Sequence, residues 1–133
     1  MVTSQPSDFH LTGEPVEISY VADPAIGHGQ FLLENRGANT ANASVQAAWL
    51  QLGSRRQSLA GVTVYVLGEE QMVEADDFQV AAQSTLNFLL GFPAVAYEPP
   101  FGESVAVGLQ LKVNGAELEA LSPITFVRRL PRR

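Results

Sequence analysis

The stretch "SVAVGLQLKVNGAELEAL" leaves this chain little choice of fold. Val105, Val107, Leu109, Leu111 and Val113 alternate without a break against Ser104, Ala106, Gly108, Gln110 and Lys112. A period of two marks a strand with one buried face. The run ends on Asn114-Gly115, the preferred pair for a type I′ turn, because both central residues must adopt positive φ. Ala116 to Leu121 is then expected to return as the antiparallel partner.

Similar signals recur along the chain. "PVEISYVA" alternates Val16, Ile18 and Tyr20 against Glu17, Ser19 and Val21, and "QFLLEN" stops at the turn-forming "NRGANTAN". "ASVQAAWLQLG" is apolar on both faces and carries Trp49, which suits a strand inside a packed structure. "VTVYVL", "STLNFLLGF" and "PITFVRRL" complete a set of roughly seven to nine short strands. No amphipathic helix and no βα alternation stands out, so a parallel sheet is not expected. One helical turn is expected at most, within "GEEQMVEADD". The pattern is that of an all-β chain, an antiparallel β-sandwich.

With 133 residues, the chain fits one domain over 1–133, with a polar lead-in at 1–14 and a basic C-terminal tail at 128–133. Hydrophobic residues at 46% and charged residues at 17% suit a folded core. There is no cysteine, which removes disulfides, thiolate metal sites and cysteine nucleophiles together. No segment reaches the roughly 18 apolar residues of a membrane span. The start, "MVTSQPSDFHLTG", lacks the basic and apolar regions of a signal peptide. A cytoplasmic address is therefore expected, with an exported domain cut from its leader as the alternative. Net charge is −6, and four of the eight basic residues, Arg128, Arg129, Arg132 and Arg133, fall in the last six positions. The body thus holds 14 acids against four bases, −10, which disfavours nucleic acid and anionic lipid as partners.

"QFLLENRGANTANASVQAAWLQL" resembles the strand–Asn-x-Gly–strand passage of bacterial immunoglobulin-like and fibronectin III-like modules, through Glu34, Asn35 and Gly37. "DDFQVAAQSTLNFLL" is similar to the passage that leads into a later strand of such modules. The resemblance covers about a third of the chain and implies an immunoglobulin-like architecture. It carries no catalytic or binding residue. Without the disulfide of antibody domains, packing alone must hold the core, and Trp49 is expected at its centre.

Catalytic signals are sparse. His10 and His28 are the two histidines, and no GxSxG elbow seats a serine against His28 and Asp23. Two scattered histidines do not make a zinc or copper site. The acidic run of Glu69, Glu70, Glu74, Asp76 and Asp77 lacks the glycine and ligand order of a calcium loop and reads as a solvated connector. "GHG" lacks the lysine of a phosphate loop, and "NAS" at Asn42 to Ser44 matches a glycosylation acceptor that chance also produces. No cofactor is expected.

"LLGFPAVAYEPPFGES" is the one stretch that strand logic does not use up. Pro93, Pro99 and Pro100 keep it out of a central strand and stiffen it. Phe92, Tyr97 and Phe101 offer rigid contact area to a partner, or a plug for the open end of the core. The expected function is a non-catalytic interaction or structural module. It would meet a protein partner, or a second copy as a homodimer, through Phe92, Tyr97, Pro99, Pro100 and Phe101, a sheet face, or Arg128, Arg129, Arg132 and Arg133. The alternative is a carbohydrate-binding module. A peptidase inhibitor on the same scaffold, lacking its NPTTG-like or GxGG loop, and a hydrolase using His28 rank below these.

Overall fold

A computed structural model describes residues 8–20, 25–96 and 104–128. Eleven strands are present: β1 (Phe9–Glu14), β2 (Val16–Tyr20), β3 (Ala25–Asn35), β4 (Ala41–Leu52), β5 (Arg55–Ser58), β6 (Thr63–Val66), β7 (Gln71–Val73), β8 (Phe78–Val80), β9 (Ser84–Ala96), β10 (Val105–Val113) and β11 (Ala116–Arg128). Among the described residues there is no helix long and apolar enough to cross a membrane. The first sheet runs β1-β3-β9-β6-β7 and the second β2-β11-β10-β4-β5, with β8 also on β4. The β1-β3-β9-β6 set of the first and the β11-β10-β4 set of the second reproduce the two sheets of an immunoglobulin-like sandwich.

The β10–β11 hairpin forms as its alternation requires. Asn114 and Gly115 take φ of 47° and 88°, and Val113 faces Ala116 across the turn. Asn114 also serves β4: its Oδ1 accepts from the Asn42 N–H, and its own N–H donates to the Asn42 carbonyl, both at 3.0 Å. The returning strand continues through "PITFVR" to Arg128 instead of breaking before it. Pro123 is accommodated because pairs alternate outward from the turn, which makes Ala106–Pro123 a pair exchanging no hydrogen bonds. On its other side β2 joins only from Ile124 onward.

The core lies between the sheets. Phe31, Leu33, Phe88 and Leu90 from the first meet Leu50, Val107, Leu109 and Leu111 from the second, all fully buried. Phe88 stacks on Phe31 at 5.9 Å and meets Phe78 at 5.8 Å. Gly29 lets the sheets close, since a Cβ there would stand 2.8 Å from that of Val107. Asn35, 1% exposed, organises the turn that its motif suggested. Its Oδ1 accepts from the Gly37 N–H at 2.8 Å, while Nδ2 donates to the carbonyls of Asn39 at 2.9 Å and Val80 at 3.3 Å.

Four more local expectations change. Phe9–Glu14, within the polar lead-in, is the edge strand β1, and the chain crosses to the second sheet at Pro15. Buried Ser122 secures that crossing, donating to the Glu14 carbonyl at 2.6 Å and accepting from the Gln30 N–H at 3.1 Å. The segment "GEEQMVEADD" holds no helical turn. It makes the turn before β7, then β7 and a Glu74–Asp77 bridge, as it passes from the first sheet to β8 in the second. Pro93 lies within β9, not outside a strand. Pairing with β6 ends at Gly91, and the register with β3 shifts between Ile26 and His28, so no ladder bond needs a Pro93 N–H there. The fourth change concerns Trp49.

Candidate functional site

Trp49 is not at the centre of the core. Ala48, Leu50 and Leu52 point inward from β4, so Trp49 points to the outer face of the second sheet. It is nonetheless only 5% exposed. Its partner across the sheet is Gly108, whose lack of a side chain lets the ring lie on β10; a Cβ at Gly108 would fall 2.0 Å from Trp49 Cε2. The opposite ring face lies under Arg56, with the guanidinium carbon 4.4 Å from the ring centroid. Arg56 reaches on across β4 and β10 to Glu119 at 3.3 Å. The indole N–H donates to Gln51 Oε1 at 3.0 Å, and Gln51 donates to the Gly53 carbonyl at 2.8 Å. Trp49, Gln51, Arg56 and Glu119 are thus linked one to the next, so the chemistry of this clamp is that of a fastening between edge strand β5 and the sheet.

The outer face of the first sheet is different. Phe31, Phe88 and Val64 point inward, so the alternate positions face outward. Gln30, Leu89, Tyr65 and Met72 are then neighbours in one row across β3, β9, β6 and β7. Leu32 sits diagonally from Leu89, and Gln30 is tied to Asn87 by a 3.2 Å bond. Leu32, Leu89 and Tyr65 are half-buried by each other and the row ends in Met72, 58% exposed. A shallow groove lined by Thr63, Gln71, Met72, Val73, Glu74 and Asp77 runs beside it along β7. Glu69, Glu70, Glu74, Asp76 and Asp77 are all exposed around that edge. The two ion pairs found among the described residues, Arg36–Glu34 and Arg56–Glu119, involve none of them. No Lys or Arg occurs between Arg56 and Lys112, so this edge is uniformly negative along its own stretch of chain.

Of the residues singled out from sequence, Phe92 faces the core at 8% exposure, in the second half of β9. It belongs to the interior and offers no surface to a partner; inward-facing Phe88 and Leu90 set its phase by alternation. Arg128 is the last residue of β11, opposite Tyr20 of β2. Tyr97, Pro99, Pro100, Phe101, Arg129, Arg132 and Arg133 lie outside the described residues. His10 and His28 are exposed on β1 and β3, and His28 is in a strand beside the β3 irregularity instead of a loop. Among the described residues no three His, Asp or Glu side chains are grouped to hold a metal ion. The Asn42 side chain accepts from Gln79 at 3.1 Å at the start of β4.

The Met72 row was not singled out from sequence. The one available signal was that "VTVYVL" and "NFLLGF" are apolar at consecutive positions, which says that both faces carry apolar groups without saying which is covered.

No protein-family model matches the chain, and no curated protein matches it. Among solved structures, it is similar to the ASH/PapD-like domain of human CEP192 (PapD-like domain 7), at 10% identity and a TM-score of 0.42, over 97% of this chain and 92% of that one.

Proposed function

We propose that this chain is a non-catalytic protein-interaction module that binds through the outer face of its first sheet. The observation that carries this reading is the row Leu89–Tyr65–Met72 on a rigid four-strand platform, ending in a methionine 58% exposed. Half-buried apolar side chains running without a break to an exposed one on the same face favour a partner that covers them. Methionine and tyrosine suit such a surface, one adaptable and the other rigid with a polar tip. The sugar-binding alternative gains no support from Trp49, whose two ring faces are taken by Gly108 and Arg56.

The test is a pull-down with the wild type beside Tyr65→Ser/Met72→Asp, each verified as folded by circular dichroism. A Thr125→Asp variant, altered on the opposite sheet face, is the control. Loss of one specific partner in the first variant and its retention in the control supports the reading. Equal capture by all three proteins removes this face as the binding site.

A further inference from the structure

The chain itself carries a chemistry complementary to the β7 edge. Glu74 and Asp77 line the groove that holds exposed Met72, and Glu69, Glu70 and Asp76 are exposed on the adjoining turns, none of the five in an ion pair among the described residues, while four arginines and Leu130 are concentrated at positions 128–133. We propose that the arginine-rich end of one copy docks in the β7 groove of a second copy. The inference rests on the reading of this face as a binding surface and names its occupant.

Reach decides between the chain's own edge and that of another copy. β11 is two strands from β4 and three from β5 in the second sheet, whereas the β7–β8 segment lies on the far flank of β4. Three strand spacings and one sheet spacing make a path on the order of 24 Å. Five residues beyond Arg128 span at most about 17 Å when fully extended. Backbone extension alone falls short of the chain's own edge, which only the last arginine side chains at full stretch would meet, whereas a neighbour's edge sets no such limit. Pro131 has no N–H, so a continuous β-ladder is not the mode of docking. Recognition runs through side chains, with guanidinium groups on the carboxylates and Leu130 against Met72. Two copies related by a two-fold axis exchange their ends reciprocally, which closes the assembly at a dimer.

Sedimentation equilibrium of the full chain tests this. The expected result is a monomer–dimer equilibrium whose dissociation constant rises at least about tenfold between 50 and 300 mM NaCl, as solvent-exposed charge pairs require. Arg129→Glu/Arg132→Glu/Arg133→Glu and Glu70→Lys/Glu74→Lys/Asp77→Lys are each expected to be monomeric alone. Mixed one to one, they are expected to form a heterodimer, because the reversed segment then faces the reversed edge and the native segment the native edge. Should either variant fail to fold, a labelled synthetic peptide of the sequence FVRRLPRR titrated into the wild type replaces it, and saturable, salt-sensitive anisotropy is expected. Wild type that stays monomeric at all concentrations, a dimer indifferent to salt and both charge reversals, or a peptide that does not bind overturns the proposal. A monomer that still captures a foreign protein through Met72 also overturns it, while leaving the interaction-module reading in place.

Discussion

Adding one methyl group at Gly108 probes the seat of Trp49 directly. In Gly108→Ala the new Cβ would stand 2.0 Å from Trp49 Cε2 and 2.2 Å from Nε1, where carbon atoms need about 3.5–4.0 Å. The ring must lift by roughly 1.5–2 Å. A buried tryptophan covers about 150–250 Å². Re-exposing a third of that costs about 1.3–2 kcal/mol at about 25 cal/mol/Å². Displacing the ring from Arg56, now 4.4 Å from its centroid, removes about 0.5–1 kcal/mol more. Alanine replaces glycine in a strand with a gain of about 0.5–1 kcal/mol, which offsets that last loss. The expected net is a destabilisation of about 1–2 kcal/mol. Trp49 is the sole tryptophan, so its emission reports this site without interference and should shift to the red. The check is urea unfolding followed by circular dichroism, run also in a Trp49→Ala background, where Gly108→Ala should become neutral or stabilising. A neutral or stabilising Gly108→Ala in the wild-type background, with unchanged emission, would refute the seating of the ring on Gly108.

Other outcomes follow from the same geometry. Gly29→Ala places a Cβ 2.8 Å from that of Val107 between the sheets and should cost about 1–3 kcal/mol in a thermal or urea melt, a cost that Val107→Ala, which keeps its Cβ, should not remove. Asn35→Ala removes the acceptor of the buried Gly37 N–H and the donor to the carbonyls of Asn39 and Val80; a loss of about 1–3 kcal/mol is expected, and an unchanged melt would contradict the buried role of the amide. Asn114→Ala loses both tolerance of φ 47° and the bond to Asn42, whereas Asn114→Gly loses only the bond, so the alanine variant should be the less stable of the two. His28→Ala should leave folding and partner capture unchanged, which pull-down and circular dichroism together check.

Local chemistry decided much of this architecture before any contact was known. The alternation from Val105 to Val113 and the Asn114-Gly115 pair determine a hairpin because both signals act over a few neighbouring residues. The Asn35 turn is legible for the same reason, its amide bonding Gly37 and Asn39 close along the chain. Period two also explains what stayed hidden. It sorts a strand into two faces but does not say which face is inside when both are apolar, as in "ASVQAAWLQL" and "VTVYVL". Hydrophobicity alone places Trp49 in the interior. Its outward place was decided by Gly108, 59 positions later, which opens a seat for the ring, and by Arg56, which roofs it. The row of Leu89, Tyr65 and Met72 likewise comes from three separate segments and exists only through the register of β9, β6 and β7. Strand existence was a local property of this sequence; which side of each strand meets water was settled by partners distant along the chain, because burial belongs to the assembled sheets and not to any one of them.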